Sequence, residues 1–187
     1  MNQSPTEELA SEHEYVLVVV SAMEREAESI HSGGPVDRDA IAGMVDFTRN
    51  FTDGCHHTKE EKLLFPLLEE RSQLAAGTVS VLLSEHVAAR GCVSAIDENL
   101  PQVESSVAAR SAVAHNLALY AELLRMHIHK ENVVLFPLAE QVLDAPEMED
   151  LATGFARVEK EETDAGVHER YHQMAHELAS HLAPDER

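Results

Sequence analysis

Residues 56–66 read HHTKEEKLLFP, and residues 127–137 read HIHKENVVLFP. When the two Phe-Pro ends are aligned, both copies contain the element His-x-x-x-Glu-x-x-x-x-Phe-Pro. Because residues four apart lie on the same face of a helix, each copy places an imidazole beside a carboxylate. This arrangement is typical of a metal ion held between helices. The paired residues are His56 and Glu60 in the first copy and His127 and Glu131 in the second.

The amino-acid composition and net charge limit the classes of protein to which this chain can belong. The chain has 187 residues, 44% of them hydrophobic, which predicts a folded protein with a sizeable core. Its formal net charge of -20 disfavours nucleic acid and anionic membranes as partners. No apolar run approaches the ~20 residues of a membrane span, and the polar N-terminus does not resemble a signal peptide. We therefore expect a cytoplasmic protein whose partners are small molecules or metal cations.

Apolar residues recur with helical spacing along most of the chain, which predicts an all-α protein. Proline and glycine separate the helices, for example at Gly33-Gly34-Pro35 and at Leu100-Pro101. Four long helices with short connections predict an antiparallel up-down four-helix bundle over residues 1–145. Residues 146–187 are expected to form an additional C-terminal helical segment packed on the bundle. The bundle helices are predicted at about residues 6–32, 37–72, 78–99 and 104–143.

Helical phase indicates which histidines point into the core. With about 100° between successive residues, His127 and Glu131 fall near the middle of the apolar face of their helix. His13 and His86 lie within apolar stripes of the first and third helices, whereas His129 falls on the face opposite the core. The first, third and fourth helices therefore each direct a histidine inward.

The phase of the second helix is less clear. His56 and Glu60 lie at the edge of its apolar arc, while His57 and Glu61 lie further round. The alignment of the two motif copies favours His56 and Glu60 as the inward pair.

Four inward histidines and two inward glutamates need a common explanation. A single inward histidine is more often a hydrogen-bonded core residue than a metal ligand. An ionised carboxylate in an apolar interior, however, must be paired or neutralised. Lys59 and Lys130 are the sequence neighbours of the glutamates and face other directions. A bound cation accounts for the imidazoles and carboxylates together, and this donor set suits iron, manganese or zinc.

Pro66 and Pro137 end the two motif copies at the same distance. A proline inside a helix removes a hydrogen bond and clashes with the preceding turn. The sequence therefore predicts a kink or a break at equivalent ends of the second and fourth helices. Phe65 and Phe136 are expected to close that end of the core.

These features resemble the hemerythrin-like proteins of the HHE cation-binding family. The matching residues are His13, both motif copies and the pair Glu85-His86, and the resemblance covers about residues 7–143. It implies a four-helix bundle around a non-heme di-iron centre. Two iron ions are then joined by an oxo or hydroxo bridge and spanned by two carboxylates. The residues to which the resemblance assigns metal-ligand roles are His13, His56, Glu60, His86, His127 and Glu131.

One position departs from the oxygen-carrying members of the family. These have a second histidine one turn after the ligand on the third helix, where this chain has Arg90. Four imidazoles then remain in place of five. Arg90 is expected either to steady an anion or bridging carboxylate or to form a salt bridge with a neighbouring helix. The position could stay open or be taken by water, and the candidates for a replacement ligand from this chain are His57, Glu61, Tyr120, Glu162 and His168.

The resemblance implies that the centre binds or reduces a small oxygen species, namely dioxygen, peroxide or nitric oxide. Two different functions are also compatible with it: a peroxide-decomposing, catalase-like enzyme, and an iron-binding or iron-sensing regulatory bundle with a structural metal. A carrier gives a reversible oxygen spectrum, whereas a peroxidatic enzyme evolves oxygen from peroxide. A redox-silent zinc ion would favour the structural role.

Overall fold

The computed structural model describes residues 3–161, 170–171 and 173–175. Within these residues the chain is helical without β-strands, and four long helices form an antiparallel up-down bundle with a fifth helix outside it. The predicted fold class is therefore confirmed. The division into residues 1–145 and 146–187 stays a prediction. The helices are α1 (Pro5–His31), α2 (residues 38–71), α3 (Gln73–Asn99), α4 (residues 107–142) and α5 (Ala145–Glu161).

Each bundle helix begins where a polar side chain caps its first turn. The Ser4 hydroxyl accepts a hydrogen bond from the Glu7 N–H, and the Glu7 carboxylate accepts one from the Ser4 N–H. Ser72 is the single residue between α2 and α3, and its side chain caps α3 from an extended conformation. Helix α3 therefore begins at Gln73, earlier than predicted. The other caps are Asp37 for α2 and Ser106 for α4.

Helices α2 and α4 contain π-helical turns, in which hydrogen bonds join residues five apart. These turns cover Thr48–His57 and Glu60–Leu64 in α2 and Glu131–Leu135 in α4. Pro66 and Pro137 each follow a π-helical turn, in the first turn of an α-helical segment. Both helices continue through their proline, so of the predicted kink or break the break is wrong and the kink stays a prediction. The wide turn accommodates the ring, and the first turn of an α-helical segment tolerates a missing N–H.

The bundle has a layered interior. Helix α4 packs along α1 and α3, and α2 completes the bundle between them. The apolar core falls into two clusters, and on every bundle helix the change from one cluster to the other occurs beside a buried histidine. A polar layer therefore crosses the middle of the bundle. Its histidines are His13 on α1, His56 on α2, His86 on α3 and His127 on α4.

Helix α5 lies against α1 and α2 on the outside of the bundle. Its buried residues Leu151 and Phe155 extend the apolar cluster that contains Leu9 and Leu64. A β-carbon at Gly154 would lie 2.9 Å from a methyl group of Leu63, so the glycine allows α5 to approach α2 closely.

Helix α3 with the 3₁₀ turn that follows it, Gln73–Gln102, is long and apolar enough to cross a membrane by length and composition. Its mean hydropathy is 1.3, and 39% of the window is buried inside the bundle. Because core helices of soluble proteins have the same composition, this helix is weak evidence for a membrane.

Candidate metal centre

Seven buried side chains from the four bundle helices meet in the polar layer, each at most 3% exposed. Their ring nitrogens and carboxylate oxygens form two groups, and within each group the ligand atoms lie within 4.8 Å of one another. All six residues predicted as ligands are brought together, and His57 joins them. The first group is His13, His56, Glu60 and Glu131, and the second group is His57, Glu60, His86 and His127.

Four of the imidazoles form a hydrogen bond through Nδ1, on the side of the ring that faces away from the centre. In every case Nδ1–H donates to a side-chain oxygen of another helix, which leaves Nε2 directed at the centre. The partners are Asn132 for His13 (2.9 Å), Glu12 for His56 (2.8 Å), Glu61 for His86 (2.7 Å) and Glu85 for His127 (2.9 Å).

The inward nitrogens approach one another in pairs. The Nε2 atoms of His13 and His56 are 3.0 Å apart, and those of His86 and His127 are 3.1 Å apart. Burial lowers the pKa of His56 and of His86, which favours one neutral ring with an inward lone pair in each nitrogen pair. Two nitrogens bound to one ion at right angles, through bonds of about 2.1 Å, are about 3.0 Å apart. Both pairs thus fit the nitrogen ligands of a metal ion.

Glu60 and Glu131 each face both groups. Glu131 has Oε2 at 3.1 Å from His13 Nε2 and Oε1 at 3.2 Å from His127 Nε2. Glu60 has Oε1 at 3.5 Å from His56 Nε2 and Oε2 at 3.5 Å from His86 Nε2. All four oxygens are buried, and none has a hydrogen-bond partner in the part of the chain that the structure describes.

Without a cation, burial of the two carboxyl groups costs free energy. Burial and the neighbouring Glu131 raise the pKa of Glu60. For Glu131, His127 and His13 outweigh the effect of burial and lower the pKa. The pKa of one carboxyl group is thus raised and that of the other is lowered, and all four oxygens lack hydrogen-bond partners among the described residues. Carboxylates with neutral imidazoles suit iron, manganese or zinc, so the residues present fit the cation that the sequence predicts.

Helices α1 and α2 repeat the contacts of α3 and α4. In each half the residue before the inward histidine is a glutamate, which accepts a hydrogen bond from the motif histidine of the following helix. The lysine three residues after that motif histidine donates to the other oxygen of the same glutamate. The lysines at matching positions of the two motif copies are the sequence signal for this arrangement. The two chains of contacts are Lys59–Glu12–His56 and Lys130–Glu85–His127.

His57, one of the candidates for the missing ligand, lies in the second group. Its ring stacks on that of His86, with 3.7 Å between the ring centroids. In a regular α-helix, with a step of about 100° per residue, His57 would lie outside the core. Because Thr48–His57 is π-helical and turns less per residue, His56 and His57 both face the centre. Burial lowers the pKa of His57 to about 4, which favours the neutral ring.

Glu61 and Tyr120, two more candidates for the missing ligand, belong to neither group of ligand atoms. Glu61 accepts a hydrogen bond from Nδ1 of His86 and so supports a ligand from outside. Tyr120 is buried in the wall of a cavity that reaches His57. The last two candidates, Glu162 and His168, lie outside the described residues.

Arg90 acts on two imidazoles through the carboxylates that hold them. Its Nε donates to Asp53 Oδ1 and its Nη2 to Glu61 Oε1, both at 2.7 Å. Asp53 accepts from His57 Nδ1 at 3.3 Å, and Glu61 accepts from His86. Burial opposes ionisation of Asp53, but hydrogen bonds from His57 and Arg90 outweigh it and hold the pKa at about 2. Of the two expectations for Arg90, the salt bridge to a neighbouring helix is observed.

A cavity of about 250 Å³ lies between α2 and α3 and reaches His57. Its wall includes the buried side chains of Thr52 and Tyr120, and the Thr52 hydroxyl has no hydrogen-bond partner among the described residues. The polar wall lies on the α2–α3 side of the bundle. On the α4–α1 side, apolar residues take the matching positions: Leu17 for Arg90, Leu124 for Asp53 and Ile128 for His57.

Together the fold and the site define a four-helix-bundle protein with a metal centre of histidines and carboxylates. The family model of the hemerythrin HHE cation-binding domain matches residues 4–139. The chain belongs to this family, whose members bind iron, and the predicted resemblance is confirmed. Helix α5 lies beyond the matched residues.

Two curated relatives extend the comparison. The uncharacterized protein Rv1995 of Mycobacterium tuberculosis is 32% identical over 120 residues, which is 62% of this chain and 46% of that protein. The iron-sulfur cluster repair protein YtfE of Edwardsiella ictaluri is 29% identical over 150 residues, which is 73% of this chain and 67% of that protein. The chain thus spans about half the length of the mycobacterial relative. No solved structure matches significantly.

Proposed function

We propose that this protein binds or reduces a small oxygen species at a carboxylate-bridged, non-heme di-iron centre. The species is dioxygen, peroxide or nitric oxide. The observation that carries the proposal is that Glu60 and Glu131 each direct one oxygen to each group of imidazoles. One ion in each group would give a partner to each of the four carboxylate oxygens that lack hydrogen-bond partners among the described residues.

The proposed ligands divide unequally between the two ions. Two imidazoles, from His13 and His56, serve the first group, and three, from His57, His86 and His127, serve the second. The first group would therefore have one protein donor fewer than the second. When bound, two iron ions supply the electrons for reducing an oxygen species. Glu60 and Glu131 are the proposed bridges.

The surrounding residues orient the ligands and exclude water. The Phe136 ring stacks on His13 with 5.5 Å between centroids, and Leu135 is fully buried in the same apolar cluster. The hydrogen bonds to Nδ1 keep the Nε2 lone pairs of His56 and His127 aimed at the centre. Outer-shell contacts of this kind also raise the basicity of the imidazoles.

The cavity beside His57 is the proposed route for a small polar molecule. Thr52→Val removes a hydroxyl from its wall without touching a proposed ligand. We expect the reaction of the iron-loaded protein with hydrogen peroxide to slow several-fold, because the entering molecule loses a hydrogen-bonding group. Stopped-flow absorbance measures the rate, with Ser94→Ala at the more exposed part of the same wall as control. Equal rates in wild type and both variants would exclude this route.

Metal analysis and visible spectroscopy test the central proposal. We expect two irons per chain, with oxo-to-iron charge-transfer bands that bleach on anaerobic reduction and return in air. Zinc, or less than one metal per chain, would contradict the proposal and leave a structural or regulatory bundle. Oxygen evolution from added peroxide separates a peroxide-decomposing enzyme from a reversible carrier.

A second candidate function is iron-sulfur cluster repair, the activity named for the Edwardsiella relative. The alignment with that relative covers 73% of this chain, which favours the candidate. Incubation of the iron-loaded protein with a cluster-free ferredoxin, sulfide and a reductant tests it. A repair protein gives up iron and the cluster absorption appears, whereas a carrier or an oxygen-reducing enzyme keeps its iron.

We also propose a cytoplasmic location. Cys55 and Cys92 are buried and unpaired, as expected in a reducing compartment. The formal net charge of -20 favours small molecules over nucleic acid or anionic lipid as partners.

A further inference from the structure

Lys59 is a charged residue with none of its side chain exposed. Its ammonium group donates to three carboxylates, Glu8 and Glu159 at 2.7 Å and Glu12 at 2.6 Å. The ammonium thus occupies the position between three acidic side chains where a cation is expected. It also lies 5.5 Å from the centroid of the Phe155 ring. Burial alone would lower the pKa of Lys59, but Glu12 and Glu8 outweigh burial and raise it.

The lysine links the C-terminal helix to a proposed metal ligand. Glu12 binds Lys59 with Oε1 and accepts the Nδ1–H of His56 with Oε2 at 2.8 Å. Glu159 lies on α5, outside the residues that the family model matches. It is therefore three hydrogen bonds away from the ring of His56, through Lys59 and Glu12.

In the matching half of the bundle, formed by α3 and α4, the corresponding lysine is not fully buried. Lys130 binds Glu85, which accepts from His127, but 33% of the Lys130 side chain is exposed. Lys59 is fully buried because α5 lies over it, with Phe155 and Glu159 in contact. The Glu159 side chain is 35% exposed, but the Lys59–Glu12 pair through which it acts is buried, so that pair is screened less than Lys130–Glu85.

We propose that Glu159 is a positioning residue for the metal centre, which acts on His56 through Lys59 and Glu12. With Glu159 present, the ammonium is shared among three carboxylates. Without it, the ammonium binds Glu12 and Glu8 more strongly, and Glu12 becomes a weaker acceptor for His56. The imidazole of His56 would then be a weaker donor to an ion held by the first group. Helix α5 would thus contribute to the centre through Glu159.

Glu159→Gln in the full-length, iron-loaded protein tests this inference, which rests on the proposed di-iron centre. We expect the reduction potential to rise, because a negative charge is lost and His56 becomes less basic. We expect iron release to a chelator to become about threefold to tenfold faster, at or below the lower end of typical outer-shell effects. Glu149→Gln, an exposed position on the same helix, makes the same change in net charge and is the matched control. Glu8→Gln, which removes another partner of Lys59, should act in the same direction as Glu159→Gln.

The outcomes separate this inference from the proposed function. If the wild type binds no iron, the di-iron proposal fails. If the wild type binds iron and Glu159→Gln matches Glu149→Gln in potential and release rate, the role of Glu159 is excluded while the centre stands. If the reduction potential or the iron-release rate changes in Glu8→Gln but not in Glu159→Gln, the effect comes from α1 and a role of α5 is excluded.

Discussion

At the scale of single residues, the buried acidic pair Glu60 and Glu131 opposes stability, and we propose that it binds the metal ions. Both side chains are fully buried, and their oxygens have no hydrogen-bond partner among the described residues. Unsatisfied buried carboxyl groups destabilise a fold, whereas apolar residues of similar size at the same positions are often stabilising. Substitution at these positions is therefore expected to change stability and metal binding in opposite directions.

Glu60→Met tests this opposition. In the metal-free protein we expect the free energy of unfolding to rise by about 1–3 kcal/mol, because a buried carboxyl group is replaced by an apolar side chain. The stabilisation that iron gives to the wild type should be lost. Urea unfolding with and without iron measures both effects. Glu70→Met, on the exposed side of α2, should change neither. A destabilised metal-free variant that still gains stability from iron would contradict the assignment.

His57→Ala tests the fifth imidazole. We expect loss of iron from the second group, with an affinity at least about 10-fold lower, since loss of even an outer-shell partner typically costs that much. His129→Ala is the control, because His129 is exposed on α4. Competition with a chelator measures the affinity. Full retention of two irons in His57→Ala would place the missing ligand elsewhere, on another side chain or a water molecule.

At the scale of the helix, the π-helical turns of α2 decide which side chains reach the centre. Gly54 lies in the turn Thr48–His57, and a β-carbon there would lie 3.1 Å from the carbonyl oxygen of Arg49, five residues earlier. A regular α-helix does not bring a residue so close to the carbonyl five positions back. The glycine therefore fits the π-helical geometry that aims His57 inward.

Gly54→Ala is expected to weaken this turn. We expect the unfolding free energy to fall by about 1 kcal/mol and iron binding to weaken, although alanine is the better helix former. Gly91→Ala on α3 is the matched control, since a β-carbon there meets nothing within 4 Å. That variant should gain about 0.5–1 kcal/mol from the higher helix propensity of alanine. Denaturant unfolding and iron titration check both variants, and a stabilised Gly54→Ala with normal iron content would contradict the role of the turn.

At the scale of the whole molecule, the proposed metal centre draws its side chains from four helices and lies at the boundary between two apolar clusters. Binding to the folded state alone stabilises it by RT ln(1 + [L]/Kd), about 2.7 kcal/mol at a metal concentration 100 times Kd. We therefore expect the melting temperature of the metal-free protein to rise steadily with added iron under anaerobic conditions. A melting temperature that does not depend on iron, in protein shown to bind it, would mean that the ions lie outside the bundle core.

The sequence by itself determined the helices, the bundle and the six predicted ligands that the structure brings together. These features depend on local spacing: apolar periodicity, capping residues and pairs four apart are all encoded within a few turns. Tertiary structure decided which glutamate holds which histidine, because the partners lie far apart in the chain. Glu12 and His56 are 44 residues apart, and Lys59 and Glu159 are 100 apart. It also decided that His57 faces the centre, since a π-helical turn changes the direction of side chains that regular helical spacing predicts.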